Sequence, residues 1–162
     1  EMPEIDIIHP IVNVKGLGIN DGTIEQMLHA IEKAYSAGKG IYAMKPLGGG
    51  NLLGTYENCM QFVLDIPHIH SVAVGMQSVE EVEMNVMTFN GETVPEEILG
   101  RLRSRKRAVH VEDWCEGCAT CEEVCPQKAI KVAEGRAEVD KGKCILCGYC
   151  GARCPAFAIR VL

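Results

Sequence analysis

The sequence predicts an α/β region followed by a small α+β domain. Residues 3–91 alternate short β-rich runs with helical patterns, which is typical of parallel strands covered by helices. Residues 109–162 contain an internal repeat with an offset of 29 residues, in which EGCATCEEVCPQKAIKV at 116–132 matches ILCGYCGARCPAFAIRV at 145–161. A repeat within so short a segment indicates a unit with pseudo-twofold symmetry.

A basic run lies at the boundary between the two regions. RLRSRKRAVH at residues 101–110 carries five positive charges, and such a run is usually a solvated helix or a linker. Docking of an acidic partner or of a neighbouring domain is the other interpretation. We expect a first domain at residues 1–92, a basic helix or linker at 93–108 and a second domain at 109–162.

Three strands are predicted in the first region. The β-branched run from Ile5 to Val14 is bounded by Gly16 and Gly18 and is typical of a buried strand. Ile41–Met44 and Ser71–Val74 are two further short apolar runs. The three strands are expected to be parallel because a helical pattern follows each of them.

Three helices follow these strands. Thr23 with Gln26, and Ser78 with Glu81, have the spacing of a capping box, and Gly38 is placed to end the first helix. Cys59 on the second helix is expected to be an inert buried thiol. The apolar residues at helical spacing are Ile24, Met27, Leu28, Ile31 and Tyr35, then Tyr56, Cys59, Met60, Val63 and Leu64, and finally Val79, Val82, Val86 and Phe89.

Composition and charge argue against several classes of function. The 162-residue chain has a formal net charge of −6, and residues 1–100 hold 4 basic and 14 acidic side chains, so no nucleic acid is expected as a partner. The longest apolar stretches are far shorter than the roughly 20 residues of a transmembrane helix, so no membrane span is expected. EMPEIDIIHP at the N-terminus resembles no secretory signal, which favours a cytoplasmic location.

Eight of the nine cysteines form two copies of the motif C-x2-C-x2-C-x3-C-P. Regular short spacings without a secretory signal argue against disulfides. Thiolates suit iron–sulfur clusters or zinc, and three cysteines at two-residue gaps can wrap three corners of a cubane. The spacing therefore predicts two [4Fe–4S] clusters in a bacterial-type ferredoxin domain, with structural zinc as the alternative. The two copies comprise Cys115, Cys118, Cys121 and Cys125, and Cys144, Cys147, Cys150 and Cys154.

Crossed ligation is expected for this arrangement, because the cysteine before proline binds the cluster of the other copy. One site is then Cys115, Cys118, Cys121 and Cys154, and the other is Cys144, Cys147, Cys150 and Cys125. Glycines should let the backbone approach the inorganic core, and apolar side chains should form a dry shell. These glycines are Gly117, Gly148 and Gly151, and the shell residues are Val111, Trp114, Ile130, Val132, Ile145, Phe157 and Ile159. In so small a domain the clusters should also maintain the fold.

Three segments of the first region read IDIIHPIVNVKGLG, GKGIYAMKPLGGGNL and HSVAVGMQSVEEVEMN. Together they resemble the last third of the barrel of an aldo/keto reductase, and ferredoxin-tailed members of that family join the two parts in this order. The resemblance implies a partial (β/α)8 barrel, consisting of its last three βα units, followed by a ferredoxin-like two-cluster domain. The family's catalytic residues lie on earlier strands, so no residue of this chain is expected to be catalytic.

The same resemblance implies contacts to a nicotinamide dinucleotide, NAD or NADP. The residues concerned lie in the loops after the last two strands and are Pro46, Leu47, Gly48 and Gly49, then Gly75, Met76, Gln77 and Ser78, with Asn85 facing adenine. Glycine-rich backbone beside a helix N-terminus is suited to phosphate. Glu81 stands where many NADP-binding members have Arg, and its carboxylate would repel a 2′-phosphate, which favours NAD or no dinucleotide.

Two functions follow from these observations. The first is the iron–sulfur portion of an aldo/keto reductase-like oxidoreductase, in which two clusters relay electrons between a barrel active site and a redox partner, either a protein or a small molecule. The second is a non-catalytic ferredoxin-type electron carrier with a docking domain. Since three strands cut from a barrel leave unpaired edges, either the missing N-terminal barrel portion or self-association is expected to cover them.

Overall fold

The computed structural model describes residues 3–104 and 107–162 of the chain. These residues divide into two compact units, one formed by residues 3–48 and 52–104 and the other by residues 49–51 and 107–162. The strands are β1 (Ile7–Ile8), β2 (Gly40–Met44), β3 (Ser71–Ala73), β4 (Val109–Val111), β5 (Ile130–Ala133), β6 (Arg136–Val139) and β7 (Ile159–Val161). The α-helices are α1 (Ile24–Ser36), α2 (Tyr56–Leu64), α3 (Val79–Phe89), α4 (Glu96–Arg103), α5 (Thr120–Glu123) and α6 (Tyr149–Ala152), with 3-10 turns at Gly48–Gly50 and Leu53–Thr55.

The first unit contains the predicted alternation of strands and helices. Its three strands form one parallel sheet in the order β1-β2-β3, with Ile7 opposite Gly40 and Tyr42 opposite Ser71. A helix follows each strand, α1 after β1, α2 after β2 and α3 after β3. The parallel pairing of the three predicted strands is therefore confirmed.

The prediction of a partial (β/α)8 barrel is wrong. In residues 3–104, the sheet is open and β2 is the common neighbour of both outer strands. A barrel needs every strand to be paired on both sides. The strand expected over Ile5–Val14 is paired over Ile7–Ile8, with one isolated bridge from Ile11 to Met44. Pro10 explains the interruption, because proline has no N–H to donate to the ladder.

Helix α1 begins and ends as its sequence predicts. The Thr23 side chain accepts a hydrogen bond from the backbone N–H of Gln26, and the Gln26 side chain accepts one from the N–H of Thr23. This capping box satisfies two groups that a helix start would otherwise leave without partners. At the other end, Gly38 adopts a φ of 79°, the left-handed conformation that favours glycine after a helix.

Replacing Thr23 by Ala is expected to destabilise α1 by about 1 kcal/mol, because the N-terminal N–H groups lose their side-chain acceptor. Hydrogen exchange of the α1 amides should then accelerate about fivefold. Thr23→Ser keeps the acceptor oxygen and serves as the control, with exchange close to that of the original chain. Equal exchange in the Ala variant and the original chain would contradict the prediction.

Helix α3 buries a different face from the one its apolar spacing predicts. Val79, Val82 and Val86 are 71%, 44% and 54% exposed, whereas Met84 and Asn85 are buried. Met84 packs in a cluster that α3 shares with α2 and α4. The members of that cluster are Leu47, Leu53, Tyr56, Cys59, Met60, Met84, Val94, Leu99 and Leu102. Cys59 is fully buried there, as expected.

The predicted basic helix or linker at 93–108 contains α4. Arg101 pairs with Glu97, and Arg103 pairs with Glu96 and Glu57, so both arginines lie in ion pairs on the surface of the first unit. Exposed pairs of this kind contribute little to stability. Residues 105 and 106 of the basic run lie outside the described residues.

The second unit repeats its backbone conformation with the offset of its sequence. Helices α5 and α6 start 29 residues apart, and each is preceded by a left-handed residue, Ala119 with a φ of 64° and Gly148 with a φ of 81°. Lys128 and Phe157 form a second equivalent pair, with φ angles of 49° and 51°. β4 pairs antiparallel with β7, and β5 pairs antiparallel with β6. The repeat is therefore present in the backbone conformation as well as in the sequence.

None of the helices in residues 3–104 and 107–162 has the length and apolar character needed to cross a membrane.

Candidate metal centre

Two equivalent loops carry the first three cysteines of each motif. The left-handed residue before α5 turns the chain so that Cys121 enters the helix, and Gly148 does the same for Cys150 before α6. Such turns let three thiols of one short segment face a common centre. Gly117 is required in the first loop, because its φ is 62° and a Cβ there would collide with the backbone carbonyl of Gly135.

The two cysteines that precede proline have matching surroundings. The N–H of Ala129 donates to the Sγ of Cys125 at 3.2 Å, and the N–H of Ala158 donates to the Sγ of Cys154 at 3.3 Å. The two sulfurs therefore have the same backbone donor, four residues further along the chain, in both copies of the motif.

Cys125 of the first motif lies with the cysteines of the second loop. One pocket is lined by Cys125, Cys144, Cys147 and Cys150, and its empty space, including the opening to solvent, is about 370 Å³. The remaining walls are Val109, Gln127, Ala129, Ile130, Val139, Ile145, Gly148 and Tyr149. The structure thus brings together the four cysteines that the sequence groups in one site, within largely apolar walls.

The thiols of this pocket influence one another electrostatically. The pKa of Cys150 is raised to about 11, chiefly by burial and additionally by Cys147, Cys144 and Cys125. The proton is retained at neutral pH when no cation is present. Ligation of a metal would displace it, as is general for buried thiol sites.

The other four cysteines differ from one another in their exposure to solvent. Cys121 and Cys154 are buried in the core of the second unit, and Cys115 packs against the same cluster. Burial raises the pKa of Cys121, and the thiols of Cys115 and Cys118 raise it further. Cys118 is exposed, and its pKa is lowered by a hydrogen bond with the Thr120 side chain, with a smaller opposing effect from Glu116.

All nine cysteines are free of disulfides. Among residues 3–104 and 107–162, no three His, Cys, Asp or Glu side chains converge closely enough to hold a single metal ion. A cubane takes one thiolate at each of four separate iron corners, so its ligands need not converge on one point.

The predicted apolar shell is partly correct. Ile130 and Ile145 line the pocket, and Ile159 is buried in the core of the unit. Trp114 and Phe157, however, are 54% and 79% exposed and do not belong to a dry shell. The Trp114 indole instead donates to the carbonyl of Ala156 at 3.2 Å and lies beneath the Arg160 guanidinium. Val111 and Val132 are half-buried.

Three contributors to this site were missed by the sequence reasoning. The backbone donors Ala129 and Ala158 have no side-chain signal that could identify them. The Thr120 hydroxyl, 3.5 Å from the Sγ of Cys118, does have one, because a hydroxyl residue between two cysteines of the motif is visible in the sequence.

The residues expected to contact a dinucleotide make contacts within the protein. The Asn85 amide donates to the carbonyl of Glu81 at 2.6 Å and accepts from the Tyr56 hydroxyl at 3.1 Å. Ser78 caps α3, and the buried Glu81 carboxylate accepts from the N–H of Gln77 at 2.7 Å. Gly75 and Met76 are exposed, while Gly48 and Gly49 fall in different units. NAD(P) as a cofactor has no support, and the individual contact residues stay a prediction.

Comparison with known proteins agrees with the cysteine chemistry. Residues 107–155 match the family of 4Fe-4S dicluster domains. Together with the repeated loops and the thiol-lined pocket, this match defines the C-terminal part of the chain as a ferredoxin-type iron–sulfur domain, that is, an electron-transfer module. No match to an aldo/keto reductase accompanies it.

The curated relatives belong to the same class of redox proteins. One subunit of an ion-translocating oxidoreductase complex from Methanosarcina acetivorans is 44% identical over 63 residues, which cover 36% of this chain and 24% of the relative. An uncharacterized ferredoxin from Methanocaldococcus jannaschii is 43% identical over 65 residues, which cover 39% of this chain and 42% of the relative. One subunit of an NADH-quinone oxidoreductase from Geobacter metallireducens is 37% identical over 62 residues, which cover 32% of this chain and 47% of the relative. The chain thus spans less than half the length of these relatives.

Proposed function

We propose that residues 109–162 hold two [4Fe–4S] clusters and relay electrons between them and a redox partner. Cys144, Cys147, Cys150 and Cys125 would hold one cluster, and Cys115, Cys118, Cys121 and Cys154 the other. The observation that carries this proposal is the pocket in which Cys125 joins the three cysteines of the second loop. In this proposal residues 1–92 form an accessory domain and residues 93–108 connect the two.

The protein's own groups would hold the clusters and adjust their properties. Each cluster, when bound, takes up or releases one electron at a time. The thiolates supply the anionic ligands, and the N–H groups of Ala129 and Ala158 offset charge on the sulfurs of Cys125 and Cys154. The apolar walls around Ile130 and Ile145 limit the access of water.

A redox protein is the partner that fits this function. Two of the relatives are named as subunits of oxidoreductases, one of them explicitly of a complex, so exchange of electrons with another protein is the natural use of such a module. We propose the cytoplasm as its location.

Iron analysis under anaerobic conditions tests this function. The purified chain is expected to be brown, to bind about eight irons as two four-iron centres, and to give an electron paramagnetic resonance signal on reduction. Cys59→Ser is the control, because Cys59 lies in the core of the first unit and should not affect the iron content. A colourless protein with stoichiometric zinc would refute the proposal.

A further inference from the structure

We propose that Thr120 sets the reduction potential of the cluster held by the first loop, through a hydrogen bond from its hydroxyl to the Sγ of Cys118. This inference rests on the proposed function, since it concerns the cluster that Cys115, Cys118, Cys121 and Cys154 would hold. Thr120 would be a positioning residue that acts through the ligand sulfur.

The geometry defines the direction of this hydrogen bond. The Oγ1 of Thr120 lies 3.5 Å from the Sγ of Cys118, within hydrogen-bonding distance for sulfur. A thiolate that binds iron has no proton to donate, so the threonine hydroxyl must be the donor. Thr120 follows Cys118 by two positions and is the first residue of α5, so the start of the helix fixes the position of its Cα.

The second loop offers no equivalent hydroxyl at this position. With the 29-residue offset, Tyr149 occupies the place of Thr120, as the first residue of α6. Tyrosine carries its hydroxyl at the far end of the ring, so it has no oxygen at Cβ that could reach a sulfur two residues earlier. The two otherwise repeated loops therefore differ in whether a threonine follows the middle cysteine by two positions.

Cys118 and Cys147, the middle cysteines of the two loops, also differ in solvent exposure. Cys118 is exposed, whereas Cys147 is half-buried in the thiol-lined pocket. Reduction adds one negative charge to a cluster and its sulfurs, and a hydrogen bond donated to sulfur stabilises that added charge. The Thr120 hydroxyl therefore raises the potential of the first-loop cluster.

Redox titration with dithionite, followed by electron paramagnetic resonance, tests this role. Thr120→Val keeps the shape of the side chain and removes the hydroxyl, so one midpoint potential should fall by about 59 mV, which corresponds to a tenfold change in the one-electron equilibrium constant. The other midpoint should remain unchanged. Thr120→Ser keeps the donor and should restore the original value.

A matched control lies in the first unit. Thr55→Val removes a threonine hydroxyl that lies 3.4 Å from the Sγ of Cys59, a cysteine outside the proposed ligand set, and should leave both midpoints unchanged. If Thr120→Val fails to assemble its cluster, Thr120→Ala provides the same loss of the donor with less bulk. Equal potentials in the original chain and in the donor-free variant, or equal shifts of both clusters, would overturn the inference. Absence of iron from the original chain would instead refute the proposed function.

Discussion

Replacement of Cys154 by Ser is expected to reduce the iron content from about eight to about four per chain. Under crossed ligation Cys154 completes the site of Cys115, Cys118 and Cys121, although it lies in the sequence beside the second loop. The remaining resonance signal should therefore belong to the cluster of the second loop.

Cys125→Ser is the mirror-image control for this experiment. It removes the thiol that the first motif contributes to the pocket of Cys144, Cys147 and Cys150, so the cluster of the second loop should be lost instead. The surviving cluster is assigned by adding Thr120→Val, which should shift the midpoint potential only when the first-loop cluster is the one that remains. Loss of the second-loop cluster in the Cys154→Ser variant would show that each motif binds its own cluster.

Removal of iron is expected to unfold the second unit and leave the first unit folded. A domain of about 60 residues buries too little surface to be more than marginally stable, and metal binding then supplies much of its folding free energy. Thiols form part of the core itself. That core consists of Cys121, Ile130, Ala137, Cys154, Ala158 and Ile159.

Hydrogen exchange on the complete chain, before and after anaerobic chelation, measures this effect. The amides of β5 and β7 should lose their protection, whereas those of α1 should exchange at the same rate, since α1 packs in a separate core with Ile31 and Ile41. The α1 amides thus serve as the internal control. Persistent protection of β5 and β7 without iron would show that the unit folds independently of its clusters.

Local features of this protein could be predicted from its sequence. The capping box of Thr23 and Gln26 and the left-handed Gly38 involve residues a few positions apart, so neighbouring letters contain the whole signal. The thiol chemistry is equally local, because two-residue gaps bring three cysteines of one loop together. The 29-residue repeat also reappears as repeated backbone conformation, since identical spacings favour identical turns.

Features that depend on distant neighbours were decided by the tertiary structure. Three strand–helix units have the same sequence pattern in a barrel and in an open sheet. The strand pairing distinguishes the two folds, because in residues 3–104 both β1 and β3 pair with β2 alone. Apolar spacing on α3 predicted the valine face as core, but the helix packs through Met84. Amphipathic spacing shows which face is apolar, whereas burial requires another element to cover it.

The candidate metal site likewise combines features that the sequence determined with features that the tertiary structure decided. Its ligand types and their spacing were determined by the sequence, because each loop is a continuous segment. The tertiary structure decided which surfaces surround them, and it placed Trp114 and Phe157 outside while it put Ile130 in the pocket wall. The motif predicted the grouping of Cys125 with the second loop, but the fold decided the walls of their shared pocket, because those walls come from residues that meet only when the chain folds back on itself.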